Sequence, residues 1–507
     1  MNHVIAYDLG TGGIKTTLFD ERGNIVKSVF EQCETYYAGK DIREQNPLEW
    51  WELLVKTTRA VMEVSGISKR EVIAAACSGH SLGVVPIGYD GTLLLDRVPI
   101  WSDARAVSVA EGMFRGISEA RWYEMTGNGF PAHLYSVFKI LWYREHMPEV
   151  YRKTKQFIGT KDYLNYRMTG VLCTDHSYAS GSGVYNLKEH SYDDYYLSCF
   201  GADRDKLPEI TEPSDIIGRL LPQAASELGL SEGMKIAAGG VDNSCMAAGA
   251  GCVREGSVYT SLGTSAWIAV TSQCPVINQE TRPYVFCHLV KGMYVSSEAI
   301  FSAGNTFRWV RDRLCADLIQ SAPVAGMDPY DLMTALAEES PAGANGLYFI
   351  PSLAGGSSLD QSPDVRGAML GMDLKHTRND ILRAAMEGIC MGLKIALDEL
   401  EREARYSEKM LIVGGGAKSK FWLKLFADIY GKEIMTSAIG ENAGSLGAMA
   451  CAAVGAGLWE DFGRLEKLNR PVSLTLPDQT VNYDKIFRKF RKLNELQSEI
   501  AGVLSEN

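Results

Sequence analysis

Two glycine-threonine turns constrain this chain more than any other feature. The first, Asp8-Leu9-Gly10-Thr11-Gly12-Gly13, is entered from the strand-like run Val4–Tyr7 and left through Ile14–Phe19. The second, Ser261-Leu262-Gly263-Thr264-Ser265, lies between Val258–Leu262 and Ala266–Val270. A strand–turn–strand unit that recurs about 250 residues later suggests a chain built from two similar halves. Length agrees: 507 residues are too many for one core and suit two large domains or about three ordinary ones. The glycine-rich stretch 249–256 is the natural boundary, which gives expected domains at 1–253 and 254–480. The charged, helically patterned segment 481–507 follows as a C-terminal helix.

The remaining pattern is α/β. Short β-rich runs at Val72–Cys77, Val84–Ile87, Ile236–Ala238 and Met410–Val413 alternate with longer amphipathic stretches. Helices are expected over 47–64, 380–403 and 418–430, with an amphipathic segment starting at Lys139. A net charge of −11 argues against a nucleic-acid or anionic-membrane partner. Local backbone donors still allow an anionic nucleotide to bind. The 11 cysteines are scattered with no C-x-x-C pair, which reads as free thiols in a reducing compartment. The first residues carry no basic segment before an apolar run, and no stretch of 18 apolar residues exists. A cytoplasmic protein is therefore expected.

Four further motifs carry chemistry. In the first hairpin, small residues let backbone N–H groups point at phosphate oxygens, Thr11 adds a hydroxyl, Lys15 adds a charge, and Asp8 can hold a metal-bound water. It is neither a Rossmann fingerprint nor a Walker A loop, because Lys15 stands where the former needs Gly and Ile14 stands where the latter needs Gly before Lys. A plain hairpin turn is the competing reading. Gly239-Gly240-Val241-Asp242-Asn243-Ser244 places a carboxylate at a strand end, able to take a proton from a hydroxyl or equally to cap the next helix. Gly414-Gly415-Gly416-Ala417 opens a flat gap before an amphipathic helix, suited to a nucleotide. Trp101-Ser102-Asp103-Ala104-Arg105, if a strand, puts an aromatic, an acid and a base on one face, fit for a polyol pocket or, in the plainer reading, for a surface ion pair beside a partly buried Trp.

Gly79-His80-Ser81-Leu82-Gly83 matches G-x-S-x-G, the nucleophile elbow of α/β-hydrolases, which would make Ser81 a nucleophile. An elbow needs a helix straight after the Ser. Here a β-branched run with Pro86 inside leads into the turn Gly88-Tyr89-Asp90-Gly91, so a strand and hairpin are expected instead.

Taken in order, these motifs resemble the FGGY family of carbohydrate kinases, its xylulokinase-like branch above all, over about residues 4 to 460. Asp8-Leu9-Gly10-Thr11 resembles the family's D-x-G-T phosphate hairpin, and Trp101-Ser102-Asp103-Ala104-Arg105 its W-x-D-x-R segment. Ser136-Val137-Phe138-Lys139-Ile140-Leu141-Trp142 is similar to the first family signature. Gly367-Ala368-Met369-Leu370-Gly371 and Ile381–Gly388 are similar to the second. Gly240-Val241-Asp242-Asn243 resembles the stretch with the catalytic Asp, Ser261–Ser265 the second phosphate hairpin, and Gly414–Ser419 the adenine-side loop. Ser78–Gly83 occupies the slot where xylulokinases carry S-G-Q-M-H-G. His80, Ser81 and Leu82 thus replace the three sugar-contacting residues, a departure that bears on the sugar and leaves the kinase chemistry alone.

The resemblance implies two ribonuclease-H-like domains of actin/hexokinase type around a central cleft. It implies transfer of the γ-phosphoryl group of ATP to a hydroxyl of a small sugar, a ketopentose such as xylulose by default, with a tetritol, pentitol or sugar acid as alternatives. Asp242 is then the general base and a substrate contact. Gly10, Thr11, Gly12, Lys15, Gly263, Thr264 and Gly414 to Ala417 (Gly415 and Gly416 included) hold the nucleotide. His80, Ser81, Leu82, Trp101 and Asp103 face the sugar, and Asp8 orients Mg²⁺ through water. Domain closure would exclude competing water. A homodimer is common in the family, and the oligomeric state stays open. Two readings compete: an actin-like ATPase indifferent to sugars, and the Ser81 hydrolase.

Overall fold

The computed structural model describes residues 1–360, 362, 364–403, 406–478 and 480–505. The chain forms two compact units. One comprises Met1–Glu255, Thr271–Ser296 and Asn442–Asn469; the other comprises Gly256–Val270, Ser297–Glu441 and Arg470–Asn507.

The first unit is built on a six-stranded sheet. Its strands are β1 (His3–Gly10), β2 (Gly13–Asp20), β3 (Ile25–Gln32), β4 (Val72–Gly79), β5 (Ile216–Arg219) and β6 (Lys235–Val241). Their order across the sheet is β5-β6-β4-β1-β2-β3. The β1–β2–β3 meander is antiparallel, whereas β4 runs parallel to β1 and β6 parallel to β4. The central strands are buried on both faces, which is why they read as unbroken apolar runs and not as alternating ones.

Helices cover the sheet. Pro47–Ser65 starts where the Asn46 side chain accepts from Leu48 N and Pro47 fills the first turn, and it stops at Gly66 in the left-handed conformation. Its buried side chains include Trp50, Trp51, Leu54 and Val61, each worth about 2 kcal/mol of removed apolar surface. Helix Asp242–Gly249 lies against helix Ala443–Gly455. The approach is close enough that a Cβ on Gly447 would stand 2.0 Å from the Cys245 carbonyl oxygen. This explains the run of Gly, Ala and Ser in the later helix, which bulkier residues would wedge off its neighbour.

The second unit carries β7 (Val258–Leu262), β8 (Ala266–Ser272), β9 (Lys409–Val413), β10 (Glu433–Ser437) and β11 (Pro471–Thr475). They lie in the order β8-β7-β9-β10-β11, with β7–β8 antiparallel and β9 parallel to β7. The helices Arg378–Glu403 and Lys420–Tyr430 match the expected amphipathic stretches. The last helix is Tyr483–Ser505; residues 506 and 507 of the expected C-terminal helix lie outside the described residues. No helix among the described residues is long and apolar enough to cross a membrane.

Candidate active site

Both glycine-threonine turns close antiparallel hairpins, by different geometry. In β1–β2, Gly10 pairs with Gly13, so Thr11 and Gly12 form a two-residue tip. In β7–β8, Leu262 pairs with Ala266, and Gly263-Thr264-Ser265 form a three-residue tip in which Gly263 N donates to Ser265 O at 3.0 Å.

In the first unit, Asp8 lies opposite Lys15 across the hairpin. Directly paired residues of an antiparallel ladder share a face, so their side chains leave on one side. Loss of surrounding water raises the Asp8 carboxyl above its ordinary value, and Lys15 partly draws it back. Thr11 is exposed; its hydroxyl accepts from the Trp101 indole N–H at 3.0 Å.

Asp242 stands in the first turn of helix Asp242–Gly249, directly after β6. Its Oδ1 accepts from Asn243 N at 2.8 Å. Burial in the surrounding protein pushes this carboxyl up to about 7, and the charge of Asp8 adds to the effect. A carboxylate poised near neutrality is what a general base for a hydroxyl proton requires. Two neighbouring acids held above their ordinary values also fit a divalent cation. Mg²⁺ takes few protein carboxylates and keeps several waters, so a single acid such as Asp8 suffices for it.

The segment 79–83 runs into the strand Val85–Gly88, with the turn Gly88–Gly91 after it. No helix follows Ser81, so the nucleophile-elbow context is missing. His80 is buried, and among the described residues its ring nitrogens have no side-chain partner, the backbone of Ser81 being the polar group that acts on the ring. Burial depresses its pKa to about 4, so the ring is neutral, with the Trp50 ring packed edge-on at 5.7 Å. Leu82 adopts φ +60°, and its side chain enters the hydrophobic core. Only its backbone is left to meet a ligand.

Trp101 to Arg105 form turns, not a strand, so the expected alternation of faces does not apply. Asp103 is fully buried and committed. Its carboxylate accepts from Arg43 N at 2.7 Å and from Arg105 Nε at 2.7 Å, and Arg105 also meets Glu44 at 2.6 Å. The ion-pair reading holds here, with the pair buried instead of at the surface. One residue of this wall carried no expected role: Lys139. Its ammonium is buried and donates to the carbonyls of Leu82 (3.1 Å), Ile100 (2.7 Å) and Trp101 (3.4 Å), joining the 79–83 and 100–105 segments. Burial lowers its pKa to about 7.

In the second unit, a cavity of about 700 Å³ gathers the Gly263-Thr264 hairpin tip and Gly415-Gly416. Gly414 and Ala417, expected with them, are not among the residues that line it. Gly414 has φ +94°, and a Cβ there would come within 2.5 Å of the Leu262 carbonyl oxygen, so glycine is needed at that point. Phe307, Tyr330 and Trp422 give the cavity an aromatic wall, with Phe307 stacked on Tyr330 at 5.7 Å. The sequence reading missed the 304–334 part of this wall, since an aromatic on one face of a helix carries no ligand signal. The hairpin tip is anchored to that segment: Gly304 N donates to Gly263 O at 2.9 Å and Asn305 N to Thr264 O at 2.9 Å. Size and lining suit a nucleotide, with apolar walls for the base and backbone amides for phosphates.

Comparison with known proteins fits this layout. Residues 3–249 match the model of the N-terminal domain of the FGGY family of carbohydrate kinases, and residues 258–456 match that of its C-terminal domain. The chain is 30% identical over 463 residues to a xylulose kinase of Bacillus subtilis, covering 91% of this chain and 90% of the relative. A ligand-bound xylulose kinase from Lactobacillus acidophilus superposes with TM-score 0.88 at 25% identity, covering 100% of this chain and 99% of the other. A gluconate kinase from Lactobacillus acidophilus superposes with TM-score 0.87 at 26% identity, with the same coverage. Fold and matches together define a phosphotransferase with an alcohol group as acceptor. The chain belongs to the FGGY family of carbohydrate kinases, and the reaction class is ATP-dependent phosphorylation of a sugar.

Proposed function

We propose that this kinase phosphorylates a neutral ketopentose of the xylulose type, with Asp242 as the general base. The observation that carries the base assignment is Asp242 itself: a carboxylate at a strand–helix junction, beside Asp8, with its pKa pushed to about 7. Such a group is ionised in a large fraction of molecules at neutral pH, yet basic enough to accept a hydroxyl proton as attack begins.

The reaction is a positioning problem. The acceptor hydroxyl must lie in line with the γ-phosphorus, and charge spreading over the phosphoryl oxygens must be met by fixed donors. In this reading the first unit binds the sugar and the second the nucleotide. The adenosine occupies the cavity walled by Phe307, Tyr330 and Trp422 and lined by Gly415 and Gly416, with Gly414 and Ala417 flanking them in the chain. Gly263 and Thr264 donate to its phosphates, and in the first unit Gly10, Thr11, Gly12 and Lys15 form a hairpin of the same phosphate-binding kind. Asp8 would hold Mg²⁺ through water; when bound, that ion neutralises charge on the phosphate oxygens. His80, Ser81 and Trp101 meet the sugar, together with backbone near Leu82. Asp103 acts indirectly, by fixing Arg105 and the Trp101 turn.

The same wall favours a neutral sugar over a sugar acid. Its two basic side chains are committed: Arg105 to Asp103 and Glu44, and Lys139 to three carbonyls. A sugar carboxylate would find neither available, and an unpaired buried charge is costly. Neutral His80, whose ring nitrogens have no side-chain partner among the described residues, offers one donor and one acceptor for hydroxyls. Initial rates of ADP release with xylulose, xylitol, erythritol and gluconate test the assignment. Xylulose should give the highest kcat/KM, and a higher value for gluconate would refute the neutral-sugar reading.

A further inference from the structure

Along the strand that leads into Asp242 lies a group of buried charges that the proposed chemistry does not use. Lys161 is fully buried between Asp162 (2.5 Å) and Asp175 (2.9 Å), themselves buried. One ammonium and two carboxylates inside a core are expensive. Well-packed apolar residues of similar volume would often be as stable or more so. A role beyond stability is therefore worth seeking, and the connections of the cluster show where.

Strand β6 breaks its pairing with β4 just before Asp242. The register runs Ala237–Ala76 and then Gly240–Ser78, so Ala238 and Gly239 stand opposite Cys77 alone. This is a β-bulge, a device that bends a strand and re-aims the side chains after it. Gly239 makes it feasible: at φ +71°, any Cβ would fall 2.0 Å from the Cys77 carbonyl oxygen. A bulge leaves backbone groups without ladder partners, and buried ones must be satisfied otherwise. The N–H groups of the bulge are met by backbone, Ala238 N donating to Asp215 O at 3.0 Å and Gly239 N to Pro213 O at 2.9 Å, and the cluster supplies the side-chain partners on either side of Gly239. The Ala238 carbonyl accepts from Lys161 Nζ at 3.2 Å and from Asn165 Nδ2 at 2.8 Å. Past the bulge, Val241 N donates to Ser177 Oγ at 2.9 Å. That hydroxyl donates its own proton to Asp175, the carboxylate that pairs with Lys161. Both sides of the bulge are thus tied to one rigid set of side chains, and Asp242 is the next residue in the chain.

The geometry points to Ser177, Asn165 and Lys161 as positioning residues for Asp242: through the bulge they fix where its carboxylate lies. None of them needs to touch substrate. The inference rests on the reading of Asp242 as the base, and a purely structural role for the cluster would look different in kinetics. A base held about 1 Å out of place costs on the order of 10²-fold in turnover while binding is untouched.

The test is steady-state kinetics of Ser177→Ala, Asn165→Leu, Asp242→Asn and the Ser177→Ala/Asp242→Asn double variant. The acceptor is whichever of xylulose, xylitol, erythritol and gluconate is phosphorylated fastest. Ser177→Ala should lower kcat by about 10- to 100-fold with both KM values within about two-fold of wild type. Asn165→Leu, which leaves Lys161 on the Ala238 carbonyl, should show the same split with a smaller loss. In the Asp242→Asn background, Ser177→Ala should cost nothing further, because there is no base left to misplace. Unchanged kcat in folded Ser177→Ala, or a rise in KM that accounts for the loss, overturns the positioning role. If Ser177→Ala does not fold, the kcat and KM of Asn165→Leu decide by the same criterion. Wild-type turnover in Asp242→Asn alone instead removes the base assignment, a result separate from the Ser177 effect.

Discussion

Replacing Asp242 by Asn should stabilise the protein, and the gain should depend on pH in a calculable way. The carboxyl titrates at about 7 in the folded chain against 3.8 when unperturbed. Burial is the first cause, so the folded state holds a proton that the unfolded state releases. The contribution of this group to stability is greatest below about pH 3.8 and is lost as pH rises through about 7. Three pKa units at 1.36 kcal/mol each put the cost of ionising Asp242 in the fold at up to about 4 kcal/mol near pH 8. Near pH 5 the cost is about 2 kcal/mol, and near pH 4 it has fallen to about 0.5 kcal/mol. Asn keeps the Oδ1 acceptor used by Asn243 N and carries no charge, so the variant escapes the cost. Urea unfolding of both proteins near pH 8 and pH 4 should therefore show the variant ahead by about 2–4 kcal/mol at the higher pH and by no more than about 0.5 kcal/mol at the lower. A variant less stable near pH 8, or ahead by the same margin at both values, would refute the assignment of a strained, proton-holding carboxyl.

Other perturbations separate the two half-sites. Thr264→Val should raise the KM for ATP and leave that for the sugar unchanged; an unaltered ATP KM removes Thr264 from the nucleotide site. Gly304→Val should weaken nucleotide binding by at least about tenfold in calorimetric titration, because even a Cβ there stands 2.3 Å from the Gly263 carbonyl and must push the hairpin tip away. Full affinity in that variant would mean the tip does not hold phosphate. Lys139→Met frees three carbonyls that join the 79–83 and 100–105 segments, and it should raise the sugar KM about tenfold or more with the ATP KM intact; equal rises in both would place its role elsewhere.

Local sequence carried much of this account where chemistry and backbone coincide. The paired hairpins, the strand before Asp242 and the glycine loop before Lys420–Tyr430 are each short-range features, so turn residues and apolar runs reveal them. The strand after Ser81 was legible for the same reason, since Pro86 and the Gly88–Gly91 turn exclude a helix. Asp103 shows the limit. Positions 101, 103 and 105 share a face only in a strand, and a long-range hydrogen bond from Arg43 together with the local one from Arg105 instead fixes a turn. The aromatic wall around Phe307 and Tyr330 was equally hidden, because a ligand wall and a core face have the same periodicity. Segments 271–296 and 442–469 pack with the first unit although the chain order places them after the midpoint. Helix Ala443–Gly455 gives no warning of this, being small and apolar on every side. The Lys161, Asp175 and Ser177 brace is invisible for a further reason: its partner is backbone around Gly239, more than 60 residues away in sequence.

The central claim is sugar phosphorylation by ATP with Asp242 as base. The most direct test is ADP release by the purified protein with ATP and Mg²⁺ across ketoses, polyols and sugar acids, with Asp242→Asn run beside it. We expect release that depends on a neutral sugar and falls by about 10²- to 10⁴-fold in the variant while ATP still binds. Release that ignores added sugar, or that survives the loss of Asp242, would contradict the account.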